Sequence, residues 1–357
     1  MAANLLDDVV KIESLDPRDM HRLIYEFSAQ LQEAAEIAQR TPIRLPAGIP
    51  LHNIVVTGLG GSAIGGDLVR SYLSEELKIP LLVNRDYFLP AFTSPSTLCI
   101  ASSYSGNTEE TLSAYADAKA KGARIVCITS GGTLEQKARA DGFPVFKIPS
   151  GYPPRAALGF SAMSLLCCLA SLGLIADKSA DIKESIALTA KLREEYRRET
   201  ATEKNLAKQL AVKLYGSIPL IYAANHHFDA IALRWKGQMC ENAKLIAYSN
   251  VLPELNHNEI VGWEFPPKLL SSLSVVILRD AGDYARVQKR MEITKEIIRT
   301  KAKEVIEVRT QGNSLLARIF SAVHLGDYVS FYLANLNAVD PTPVAVIDYL
   351  KNQLKDA

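Results

Sequence analysis

Five short apolar, β-rich runs, at residues 54–57, 81–84, 97–102, 124–129 and 144–148, alternate with helical stretches such as 109–121. A continuous apolar run has no wet face, so each such strand must be covered on both sides. Strands separated by helix-length segments meet that demand as a parallel sheet with crossover helices. The rhythm returns after a long charged helical segment at 181–214. Runs at 218–224, 274–279 and 305–309 alternate with helical patterns at 227–243 and 283–301. Two more helices close the chain, the last after Pro341 and Pro343. The expectation is α/β architecture with two doubly wound parallel-sheet domains and added helices. Residues 1–45 read as a helical extension broken at Asp16-Pro17, 46–180 as the first domain and 181–357 as the second. A chain of 357 residues suits two domains.

Composition removes several alternatives. Hydrophobic residues make up 48%, enough for real cores, and Lys+Arg at 40 balance Asp+Glu at 39. A formal charge of +1 offers no bulk excess for a nucleic-acid backbone. Cys99, Cys127, Cys167, Cys168 and Cys240 form no C-x-x-C and sit mostly in apolar runs. They read as buried thiols of a reducing compartment. The N-terminal residues lack a basic stretch followed by an apolar one, so no secretory signal is visible and a cytoplasmic location is expected. Residues 157–176 carry no charge over a length that could span a bilayer. Ser161, Ser164, Ser171, Gly159 and Gly173 dilute that stretch and no Lys/Arg cluster flanks it. It reads as a buried helix, not a membrane span.

The first apolar run ends in GLGGSAIGGD at 58–67 and the third in SSYSGNTEETL at 102–112. Glycines let backbone amides approach a ligand and turn the chain into a helix whose N-terminus favours an anion. Ser103, Ser105 and Thr108 add hydroxyls, and Glu109 and Glu110 suit a first helical turn. In a doubly wound sheet, strands 1 and 3 flank the switch point where ligands bind. Together the loops describe a pocket for one phosphate monoester held by neutral donors. Gly58-x-Gly60-x-x-Ala63 also matches a dinucleotide fingerprint, but the nearest candidate acid at the end of the second strand, Asp86, lies 28 residues beyond Gly58, where about 20 is expected. That reading also leaves the hydroxyl cluster unexplained.

GLGGSAIGGD and SSYSGNTEETL together resemble the sugar isomerase domain. GYPPRAALG at 151–159, RWKGQMCENAK at 234–244, ELNHNEIVGW at 254–263 and DPTPVAVIDYLK at 340–351 narrow the resemblance to the bifunctional phosphoglucose/phosphomannose isomerases. It runs from about residue 50 to the end. It implies two flavodoxin-like sugar isomerase domains, a homodimer, no cofactor and no required metal. The implied reaction interconverts glucose 6-phosphate and mannose 6-phosphate with fructose 6-phosphate. By motif, Gly61, Ser62, Ser103, Ser105 and Thr108 resemble the phosphate-binding residues. Arg155 resembles the arginine near the sugar C1–C2 oxygens, Glu241 the catalytic base and His257 the ring-opening residue, supplied by the neighbouring subunit. Lys351 resembles a C-terminal lysine of the active site, with Lys355 close by. Leu59 and Ala63 depart from the family's usual Met and Gly, but the donors are intact.

The residue chemistry suits these roles. A carboxylate accepts a proton from carbon and returns it one atom away. Histidine titrates near neutrality, as ring opening requires. An arginine after Pro153-Pro154 is a permanent fork facing developing oxyanions. His21, His52, His226, His227, His257 and His324 form neither H-x-H nor H-E-x-x-H, so no metal site is expected. A non-catalytic sugar-phosphate regulator is the alternative. No helix-turn-helix is apparent beside the domains to support it. LNHNEIVGW, with Val261 and Trp263, reads as an interface segment.

Overall fold

The computed structural model describes residues 5–43, 45 and 48–354. Lys355 lies outside them. The chain divides into two compact units. The first comprises Glu26–Ala190 and Gly312–Phe320. The second gathers Lys191–Gln311 with the N-terminal segment through Tyr25 and the C-terminal segment from Ser321.

The first unit holds a five-stranded, all-parallel sheet of β1 (Asn53–Thr57), β2 (Leu81–Asn84), β3 (Thr97–Ser102), β4 (Arg124–Thr129) and β5 (Val145–Lys147), in the order β2-β1-β3-β4-β5. The central β3 is buried at every residue, as its unbroken apolar run demands. β1 pairs with β3 in the register Val55↔Cys99 and Thr57↔Ala101. Strand order reverses between these two strands, so the switch point lies between their C-terminal ends. One face of the sheet is sealed by a core that includes Val55, Cys99, Ala101, Tyr115, Ile125 and Leu134.

The uncharged stretch at 157–176 forms the helix Leu158–Ser171, buried at eleven of its fourteen residues. At 1.5 Å per residue it is about 21 Å long, short of a ~30 Å hydrocarbon core. Among the described residues no helix is long and apolar enough to cross a membrane. All five cysteines are free thiols. Cys99, Cys127 and Cys168 are buried as expected, but Cys167 and Cys240 are only partly so.

The second unit repeats the plan with β6 (Ile218–Ala224), β7 (Tyr248–Leu252), β8 (Leu273–Arg279) and β9 (Glu304–Arg309), all parallel, in the order β7-β6-β8-β9. β7 did not stand out in the sequence because it is a half-exposed edge strand, YSNVL, with no apolar run. The segment expected to be one helix at 181–214 is two, Ser179–Tyr196 and Leu206–Leu214. Asn205 starts the second by accepting from the Lys208 amide at 3.1 Å. The break at Asp16-Pro17 is as expected: the Asp16 carboxylate caps the next helix, accepting from the Met20 and His21 amides at 2.8 and 2.9 Å.

Candidate functional site

β1 leaves the first sheet through Gly58 and enters the helix Gly60–Tyr72, whose first turn carries Gly61 and Ser62. A Cβ at Gly61 would stand 2.4 Å from the Pro154 carbonyl oxygen and 2.9 Å from the Arg155 amide nitrogen. Only glycine lets the Pro153–Ala156 turn close over the start of this helix. That turn buries Arg155 to 4% exposure. Gln30 holds it from the other side, donating Nε2 to the Ala156 carbonyl at 2.8 Å.

The loop after β3 is locked to the same helix. The Tyr104 amide donates to Ser62 Oγ at 3.1 Å. Tyr104 Oη in turn donates to the Pro149 carbonyl at 3.0 Å and accepts from the Tyr152 amide at 2.8 Å. Buried Ser103 accepts from the Gly106 amide at 3.1 Å and shares a 2.9 Å hydrogen bond with Thr108 Oγ1. Thr108 stands at the N-cap of the helix Glu109–Ala120, yet its side chain makes no capping bond. Its oxygen shares that bond with Ser103, in which either hydroxyl can donate, and the first-turn amides are left for another acceptor. Ser105 is exposed and accepts from the Asn107 amide at 3.2 Å. Gly106, at φ +68°, completes the turn, and a Cβ there would lie 1.8 Å from the Gly131 oxygen.

The structure thus brings Gly61, Ser62, Ser103, Ser105 and Thr108 together at the β1/β3 switch point, with Arg155 buried in the turn over Gly61. Two helix N-termini and a set of hydroxyls suit a phosphate dianion. The second sheet differs at the equivalent place. There the Asp280 carboxylate accepts from the Gly282 amide at 2.8 Å and from Thr310 Oγ1 at 2.6 Å, while Asp283 accepts from the Asp280 amide at 3.0 Å. The chain's own carboxylates occupy that turn, which makes it unsuited to an anion.

Glu241, His257 and Lys351 lie on three separate elements of the second unit. Glu241 ends the helix Asp229–Glu241 and is half-buried. Its helix is fixed by a polar ladder that the sequence reading did not assign. Arg234 Nη2 donates to Asp327 at 2.7 Å, Gln238 Nε2 donates to the other Asp327 oxygen at 2.8 Å, and Asn242 Nδ2 donates to Ser330 Oγ at 2.9 Å. The signal was present as polar residues at i, i+4 and i+8 within an apolar helix. Burial raises the Asp327 pKa, against the pull of Arg234 and Gln238.

His257 closes the turn Glu254–His257 and is exposed, while Leu255 of the same turn is buried. Its segment is anchored by Glu259, which accepts from Tyr222 Oη and from Asn250 Nδ2, the latter at 2.6 Å. Trp263 Nε1 donates to Tyr222 Oη at 3.2 Å. Trp263 therefore belongs to the second unit's own core at 2% exposure, contrary to the interface expected of it. Val261 alone of that pair is exposed, at 67%. Lys351 is exposed on the helix Ala345–Leu354. His324 is fully buried, and burial pushes its pKa down to about 3.

Comparison with known proteins agrees with this division. The SIS domain family matches residues 50–141, and the family described as the bacterial phospho-glucose isomerase C-terminal SIS domain matches 203–354. A protein of Caldicellulosiruptor bescii named bifunctional phosphoglucose/phosphomannose isomerase is 51% identical, covering 94% of this chain and 99% of the relative. One of the same name from Aquifex aeolicus is 38% identical, covering 86% and 91%. The crystal structure of a glucose-6-phosphate isomerase-like protein from Thermus thermophilus superposes with a TM-score of 0.64 at 17% identity, covering 96% of this chain and 99% of that one.

Proposed function

Because the chain belongs to the bifunctional phosphoglucose/phosphomannose isomerase family, we propose that it is an aldose–ketose isomerase. It interconverts glucose 6-phosphate and mannose 6-phosphate with fructose 6-phosphate through a cis-enediol. The observation that carries this reading is the hydroxyl cradle at the first switch point, where Ser62 and Ser103 are already oriented by backbone amides.

Gly61, Ser62, Ser103, Ser105 and Thr108 hold the phosphate. His257 moves the proton at the ring oxygen as the pyranose opens. Glu241 takes the proton from C2 of the open aldose. The electron pair of that C–H bond becomes the C1–C2 double bond, and charge builds on O1, facing Arg155. The O2 hydroxyl proton then passes to O1, and return of the carbon-bound proton from Glu241 to C1, as the O2 electron pair forms the C2=O bond, leaves the ketone at C2. Lys351 completes the polar wall of the site. A planar C2 erases the only difference between glucose and mannose 6-phosphates, so one base serves both epimers.

The same reading makes the protein a cytoplasmic homodimer in which His257 reaches the site of a second copy. Free thiols and the exposure of His257 and Val261 support it. The test is incubation with fructose 6-phosphate without added metal or nucleotide. Both aldose phosphates are expected, and formation of neither would refute the assignment.

A further inference from the structure

We propose that Lys244 is a positioning residue for the isomerase reaction, tying the segment that ends in Glu241 to the base of the arm that carries Lys351. The inference rests on the reading of Glu241 as the proton shuttle.

Lys244 adopts φ +54°, a left-handed conformation that is unusual for a residue with a long side chain. That turn reverses the chain just past the helix Asp229–Glu241 and sends the ammonium back along it. Nζ donates to the Glu241 carbonyl oxygen at 2.6 Å and to the Pro341 carbonyl oxygen at 3.2 Å. The Glu241 carbonyl is among the last of its helix, which have no intrahelical donor.

Pro341 opens the Pro341-Thr342-Pro343 hinge, and Thr342 is held there by its amide donating to Asp340 Oδ1 at 2.8 Å. Beyond it the helix Ala345–Leu354 buries no residue in the chain. The arm bearing Lys351 is therefore exposed along its length and joined to the body of its unit at this base. A second bond joins the same two segments, from Asn337 Nδ2 to the Ala243 carbonyl at 2.9 Å. One ammonium thus reaches both the residue proposed to move the proton and the hinge of the arm.

Strained backbone at a functional site is kept where surrounding contacts hold it. A glycine would adopt φ +54° without strain, so Lys244→Gly preserves the turn while removing the tether. This separates positioning from folding. Lys244→Gly should lower kcat by about tenfold to a hundredfold, the cost of misplacing a reacting group by an ångström or less. KM should stay within about twofold and the melting temperature should not fall. Lys244→Arg, which keeps a donor of similar reach, should recover most of the loss.

Glu241→Gln is measured in parallel. If it is inactive while Lys244→Gly turns over at the wild-type rate, the tether is overturned and the base assignment stands. If Glu241→Gln itself retains turnover, the base assignment falls and the proposal falls with it. A loss in Lys244→Gly that follows a lowered melting temperature, or that Lys244→Arg does not reverse, marks a structural role and also overturns the proposal.

Discussion

Replacing Gly61 with alanine sets two effects of opposite sign against each other. In the interior of a helix, Gly→Ala stabilises by about 0.5–1 kcal/mol. Here the new Cβ would lie 2.4 Å from the Pro154 oxygen, whereas ordinary contact begins at 3.4 Å, so about 1 Å of movement is required. The neighbour is backbone stiffened by Pro153 and Pro154, and overpacking of this kind costs about 1–3 kcal/mol. The clash should win, leaving Gly61→Ala less stable by up to about 2.5 kcal/mol. The larger effect should be on turnover. The turn that moves carries Arg155, and an ångström of displacement can cost up to about a hundredfold. Thermal unfolding and a coupled assay of fructose 6-phosphate conversion measure both. Gly237→Ala serves as the control, since its Cβ meets nothing within 4 Å among the described residues. It should be as stable as wild type or more so. A Gly61→Ala protein with unchanged melting temperature and kcat/KM would refute the argument that glycine is needed to seat Arg155.

Three further outcomes are expected. Ser105→Ala and Thr108→Val should each weaken sugar-phosphate binding by about 1.5–3 kcal/mol, the range for a hydrogen bond to a charged group; unchanged KM in both would remove these hydroxyls from the phosphate site. His324 carries a folded pKa of about 3 against about 6.5 in the unfolded chain, so between those values the unfolded state binds the extra proton and stability falls as pH falls. His324→Phe should flatten that acid limb by about 1.4 kcal/mol per pH unit in denaturant unfolding between about pH 6 and 4; an unaltered slope would contradict it. Equal mixing of inactive Glu241→Gln and His257→Ala, with subunit exchange, should restore roughly a quarter of wild-type activity, because each mixed dimer then contains one intact site; no recovery despite exchange would reject a shared site.

What the sequence disclosed and what it withheld follow from the same physics. Strands buried on both faces, such as β3, announce themselves as apolar runs. The half-exposed edge strand β7 has no such run. The two loops proposed to hold the phosphate stood out in the sequence because glycine and hydroxyl residues at strand ends have few other uses in combination. Their mutual locking, through Tyr104 and Ser62, was not, since it joins residues 42 apart. The Arg234–Asp327 pair spans 93 residues and was equally hidden. Trp263 shows the limit of local composition: a large aromatic in a polar stretch looks like an interface anchor until its partner, Tyr222 on β6, is known. Composition likewise could not tell that Cys167 and Cys240 keep partial exposure while Cys99, Cys127 and Cys168 do not.

The most direct test of the proposed chemistry is the fate of hydrogen at C2 when fructose 6-phosphate is converted in deuterium oxide and the products are followed by NMR. A carboxylate that carries a proton between carbons exchanges part of it with solvent before returning it. Glucose 6-phosphate and mannose 6-phosphate should both appear, each with deuterium at C2 in a measurable fraction of molecules. Aldose phosphates formed with only protium at C2 would indicate hydrogen transfer without an exchangeable proton on Glu241 and would contradict the enediol account.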